Sequence, residues 1–151
     1  MALVRHFLAL GIVGMACMAS LPWAAAIASD EATTVPSAQR ASPEAIVDAQ
    51  LAAYNRRDLE GFLEFYSDDA VIENHPGQVT QAGKAEMRKR YGVRFANPDL
   101  HAEIIERITL GRFVIDHERV VAAPPANGTL EAVAIYEISG GKIVRVTFLK
   151  D

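Results

Sequence analysis

The chain has 151 residues, with 15 Lys and Arg against 19 Asp and Glu, a formal net charge of −4 and one cysteine. That length suits one domain with a sizeable core. The mild acidity gives no electrostatic case for nucleic acid or anionic lipid, and a lone cysteine excludes an internal disulfide.

Residues 1–28 read as a signal peptide. Arg5 precedes an apolar run over 7–21, and Ala26-x-Ala28 before Ser29 offers the small residues that a signal peptidase needs. The alternative is an uncleaved anchor, since 7–28 is just long enough to span a bilayer; Pro22 and the Ala-rich end favour cleavage. The expectation is an exported protein, periplasmic or secreted, with no membrane attachment after processing. Cleavage would remove Arg5 and Cys17, leaving no thiol chemistry.

Residues 29–42 lack periodicity and read as a flexible linker before a domain over 43–151. Ser42 suits an N-cap, with Pro43 at the first helical position and Glu44 in the first turn. Val47, Leu51 and Tyr54 share a helical stripe, with Ile46 and Ala53 beside it. Asp58 caps a second short helix whose buried face is Leu59, Phe62, Leu63 and Tyr66. Residues 70–74 form a short strand, ended by Pro76-Gly77.

A third helix is predicted over 84–95, with Met87, Tyr91 and either Arg94 or Phe95 on its inner side. Its Lys84, Arg88, Lys89, Arg90 and Arg94 suit a solvated face better than an anion or nucleic-acid patch in an acidic chain. The remainder is β: strands over 100–110 and 113–123 joined at Gly111-Arg112, a loop over 124–128, then strands over 130–138 and 143–149 joined at Gly140-Gly141. Helices gathered on one side of an antiparallel sheet make this α+β. Ala132, Ala134, Tyr136 and Ile138 alternate with Glu131, Val133, Ile135 and Glu137. Both faces of that strand carry apolar residues, so one packs on the helices and the other suits a partner subunit.

His75, at the turn after the first strand, is a candidate general base or acid near neutrality. Simple alternation places His101, Glu103, Ile105 and Arg107 on one face. Asp116 and Glu118 flank His117 and face away from it, which leaves two readings open: a carboxylate on the pocket side, or a charged outer face. The Tyr54 and Tyr136 hydroxyls are candidates to reach a pocket. No spacing supports a metal site, and there is no phosphate loop or nucleophile elbow.

Taken together, Tyr54-x-x-x-Asp58, Tyr66-Ser67-Asp68-Asp69-Ala70-Val71, Gly83-Lys84 opening a helix, and the ending from Ala134-Ile135-Tyr136-Glu137-Ile138 to Gly141-Lys142-Ile143 resemble the nuclear-transport-factor-2-like superfamily. Within it the chain is most similar to the SnoaL-like and steroid Δ-isomerase-like branch, over about residues 43–150. The resemblance implies a cone-shaped curved antiparallel sheet wrapped around three N-terminal helices, a cystatin-like roll. It also implies an apolar pocket at the open end and dimers through the sheet. The steroid isomerases place a catalytic Asp where this chain has Asn74, counted from Asp68, or His75, counted back from Pro76. Their oxyanion-hole Tyr falls on Gln50 and their second oxyanion acid near Ala134. Asn cannot remove a proton α to a carbonyl and Ala donates nothing, so steroid isomerisation by that route is not expected.

The resulting expectation is an exported, cofactor-free protein that takes a small apolar organic molecule and pairs as a homodimer through its sheet. If it is an enzyme, the reaction is proton-transfer chemistry of the isomerase, cyclase or hydratase type, with His75, Asn74 and Asp116 catalytic and Tyr54, His101, Tyr136 and Gln50 contacting the ligand. The alternative is a non-catalytic ligand-binding or dimerisation module.

Overall fold

A computed structural model describes residues 41–123 and 128–150. The segments expected to be a signal peptide and, up to residue 40, a linker lie outside these, as do residues 124–127 of the expected loop. Helix α1 (Pro43–Arg56) starts as its sequence dictates: the Ser42 hydroxyl accepts the Ala45 N–H at 3.2 Å, and Pro43 occupies the first turn. Arg57, in the left-handed conformation with φ 58°, ends it and turns the chain into Asp58. Asp58 caps α2 (Leu59–Glu64) by accepting the Gly61 N–H at 3.0 Å.

Helix α2 stops at Glu64, two residues earlier than the spacing of its apolar residues suggests. Tyr66 is instead the first residue of β1 (Tyr66–Asn74), where it pairs with Ile143, and it stays buried. The strand is thus longer than expected at its start. A second strand, β2 (Gln78–Ala82), folds back on it after the Pro76-Gly77 turn. Helix α3 (Lys84–Arg94) follows, opened by Gly83 at φ 80° and tied by the Glu86 carboxylate to the Ala82 N–H at 2.8 Å. Met87, Tyr91 and Phe95 are buried on its inner side.

Four strands complete the chain: β3 (His101–Leu110), β4 (Phe113–Ala123), β5 (Gly128–Ser139) and β6 (Lys142–Leu149). Gly111 at φ 59°, and Gly140 and Gly141 at φ 60° and 81°, make the two tight turns with backbone angles that glycine adopts without strain. The sheet is open and curved, in the order β2-β1-β6-β5-β4-β3. All pairs are antiparallel except β1 with β6, which run parallel with Ile72 opposite Val146.

A bulge in β3 changes which side chains face the helices. Ile104 pairs with Glu118 but Glu106 pairs with His117, leaving Ile105 as an extra residue. Directly opposed residues share a face, so His101 and Glu103 sit with outward Val121 and Arg119, while Arg107 sits with inward Asp116. The four residues expected on one face of β3 are therefore divided, and His101 is exposed.

The core lies between the sheet and the three helices. Phe62 is its hub: the rings of Tyr54, Tyr66, Tyr91 and Phe95 surround it with centroids 4.5–6.0 Å away, in tilted or edge-on arrangements. Burying each such side chain contributes about 1.5–3 kcal/mol. From the sheet, Val114, Ala134, Ile143 and Val146 close against this cluster with almost no exposure.

Candidate functional site

Next to the aromatic hub the sheet and helices form a cavity of about 60 Å³ that is partly open to solvent. A void of that size holds only a few waters outright, and a one-ring organic molecule seated in it would project through the open side. Its walls come from α1 (Gln50, Leu51, Tyr54), α3 (Tyr91, Arg94), β4 (Glu118, Val120) and β5 (Leu130, Ala132, Tyr136), with Tyr66, Ala102, Phe148 and Lys150 completing it. On α1 Gln50 and Leu51 lie four and three residues before Tyr54, and on α3 Tyr91 and Arg94 are three apart, which puts each set on one face. On β4 and β5 they are an even number of residues apart, as strand alternation requires.

The lining is more polar than an apolar pocket. Gln50 Nε2 donates to the Tyr66 hydroxyl oxygen at 3.1 Å, so the Tyr66 proton is free to point elsewhere. Among the described residues, Gln50 Oε1, the Tyr54 hydroxyl and Arg94 Nε are buried without a well-formed hydrogen bond, although Arg94 is close enough to the Tyr54 hydroxyl to oppose the rise in its pKa. Buried polar atoms are rarely left so, and orphaned ones next to a void mark groups that a guest completes. Burial raises the hydroxyl pKa of Tyr54, Tyr66, Tyr91 and Tyr136, so all four stay protonated donors at neutral pH.

Glu118 is the group with the most chemistry. Its side chain is buried, and it makes no hydrogen bond or salt bridge among the described residues. Desolvation, reinforced by the nearby Asp116 charge and partly opposed by Arg94, pushes its pKa up to about 7. A carboxyl there is present in both forms near neutrality, which is what a group that takes and returns a proton requires.

Asp116, two residues earlier on the same face, has a different environment. It is fully buried, and Arg107 binds it through two hydrogen bonds, Nε to Oδ1 at 2.6 Å and Nη2 to Oδ2 at 2.8 Å. The third nitrogen of that guanidinium reaches Asp48 on α1. Asp116 is consumed by this clamp and does not line the cavity. Ala134, where the resemblance placed an acid, is its cross-strand partner.

Of the residues singled out from the sequence, Gln50, Tyr54 and Tyr136 come together on the cavity wall. Asn74 and His75 end β1 outside it. His75 is exposed, its N–H donates to the Phe148 carbonyl at 2.8 Å, and its ring borders a separate open cleft with His117, Glu131 and Lys150. His101 is on the outer side of β3. Arg94, Tyr66 and Tyr91 carry no site reading in the sequence, and Glu118 enters there only as the companion of Asp116. The pocket-side reading of the Asp116/Glu118 pair was the signal that pointed to Glu118; nothing in the spacing told which of the two an arginine would neutralise. Among the described residues, no group of three or more His, Cys, Asp or Glu is placed to hold a metal ion.

The model of the SnoaL-like domain matches residues 47–146. The chain belongs to the SnoaL-like family. Among solved structures it is similar to an uncharacterised cystatin-fold protein from Novosphingobium aromaticivorans, at 32% identity and TM-score 0.67, covering 73% of this chain and 99% of that one. A proposed ketosteroid isomerase from Kribbella flavida matches at 17% identity and TM-score 0.60, over 72% of this chain and 77% of that one. A proposed polyketide cyclase from Sinorhizobium meliloti matches at 18% and 0.58, over 68% and 92%. The last two likenesses concern the fold alone. No match is found among curated proteins.

Proposed function

We propose that this SnoaL-like protein binds a small organic molecule in the cavity and moves a proton on it without a cofactor, in the manner of an isomerase or cyclase. The observation that carries this reading is Glu118: a buried carboxyl, without a hydrogen-bond or salt-bridge partner among the described residues, whose pKa of about 7 suits proton exchange, facing a void lined by tyrosine side chains. The Glu118 carboxylate takes a proton from a carbon next to a carbonyl, and the electron pair moves to the carbonyl oxygen. Tyr54 or Tyr66 donates a hydrogen bond to the enolate so formed. Glu118 then returns the proton to a different carbon, which completes an allylic shift.

Conversion of cyclohex-3-en-1-one to its conjugated isomer, followed by ultraviolet absorption, tests this with a one-ring probe. Glu118→Gln is expected to lower the rate by about 10²–10⁴-fold while His75→Ala leaves it unchanged. A Glu118→Gln variant that retains the wild-type rate removes Glu118 from the chemistry. Probe binding with no turnover in the wild type favours a binding module instead.

A second reading, homodimerisation through the sheet, is supported by the outer face. Ile108 and Leu110 are exposed there beside Ile115, Val133 and Ile135, more apolar surface than a solvated sheet needs. The chain is expected to sediment as a dimer, and Val133→Glu or Ile135→Glu to shift it toward monomer. A wild-type monomer at high concentration overturns this.

A further inference from the structure

Arg94 does not fit an apolar ligand. It lies half-buried on the cavity wall, one turn of α3 beyond Tyr91, with its guanidinium carbon 5.5 Å from the centre of the Tyr54 ring. Its Nε is buried without an acceptor, and no salt bridge joins it to a carboxylate among the described residues. The other arginine that reaches inward, Arg107, is met by both Asp116 and Asp48. A partly desolvated guanidinium without an anion is costly to hold, and its fork of donors matches a carboxylate in two parallel hydrogen bonds.

The surroundings decide what kind of anion fits. Lys150 adds a second cation to the lining. Leu51, Val120, Leu130 and Phe148 supply an apolar wall, while among the described residues Gln50 Oε1 is unpaired and the Tyr54 hydroxyl has Arg94 beside it. The cavity thus has a cationic portion, an apolar wall and neutral polar groups. The one acidic side chain of the lining, Glu118, is half protonated near neutrality and so repels an incoming anion less than an ordinary carboxylate does.

We propose that the molecule bound in this cavity is a compact carboxylic acid, its carboxylate seated on Arg94 and its carbon skeleton against Leu51, Val120, Leu130 and Phe148. This rests on the reading of the cavity as the ligand site and narrows it from small organic molecules to acidic ones. Arg94 is then the residue that selects the ligand by charge, and Glu118 the residue that acts on it.

Titration calorimetry at pH 6 with benzoate and benzamide, which are nearly the same in shape and differ in charge, tests this on the wild-type chain with no variant needed. Benzoate is expected to bind about tenfold or more tightly than benzamide, the increment of one charge-assisted contact. Arg94→Gln is expected to erase that preference and Arg94→Lys to keep part of it. Equal affinities for the two probes, with Arg94→Gln leaving benzoate binding unchanged, overturn the assignment to acids while the cavity remains the site. If neither probe shifts the side-chain NMR signals of Tyr54 and Tyr136, the cavity reading fails, and this inference with it.

Discussion

Asp116 and Glu118 stand two residues apart on the inner face of β4, and the regions around them treat the same functional group in opposite ways. Around Asp116 the structure is complete: a two-pronged guanidinium, itself steadied by Asp48, answers both carboxylate oxygens. Around Glu118 it is open, with tyrosine hydroxyls, an arginine without an anion and a void. The first carboxylate holds β3 to β4 and α1 and has no capacity left for a guest. The second is held at a cost to stability and is available. Burial alone does not identify a working acid; burial without a partner, facing space, does.

The largest expected effect comes from breaking the closed region. Arg107→Leu leaves Asp116 buried and unanswered, and is expected to cost about 3–5 kcal/mol in urea unfolding at pH 7. Asp48→Asn touches the same arginine from its exposed side and is expected to cost less than about 1 kcal/mol. Comparable losses from the two variants would erase the distinction between a buried clamp and a surface pair.

In the open region the effect depends on pH. The Glu118 pKa is raised on folding from 4.5 to about 7, so its contribution is fully present below pH 4.5. Between pH 4.5 and about 7 the unfolded chain ionises while the folded chain resists, and stability declines; above that range both are ionised and the decline ends. The total is about 3 kcal/mol. Glu118→Gln removes the titration, so unfolding free energies at pH 5 and pH 8.5 should show the variant gaining on the wild type by about that amount as pH rises. A difference between them that does not change with pH contradicts a raised Glu118.

Much of the fold was legible in the sequence because its signals are local. Ser42, Asp58 and the glycines at 111, 140 and 141 mark caps and turns, and these elements lie where their chemistry puts them. Tyr66 was misplaced on α2 because its spacing from Phe62 and Leu63 is helical, whereas pairing with Ile143, far along the chain, makes it a strand residue. The polar strand Gln78–Ala82 carries no alternation of its own and exists through its pairing with β1. The site was half legible for the same reason. Alternation put Asp116 and Glu118 together, Tyr54 lay on the apolar stripe of α1, and Gln50 came only from the family resemblance. The asymmetry between the two acids depends on the extra residue Ile105, which turns Arg107 inward, and a bulge leaves no mark in a single sequence.

Strand β6 lies between β1 and β5, so the oldest and the youngest strands of the nascent domain are neighbours. Without residues 142–149 the β1–β2 hairpin and the β3–β4–β5 meander share no strand pairing, and only the helices packed on both connect them. Phe148 of the same strand, with Lys150 just after it, lines the cavity, so the strand that completes the sheet also completes the pocket wall.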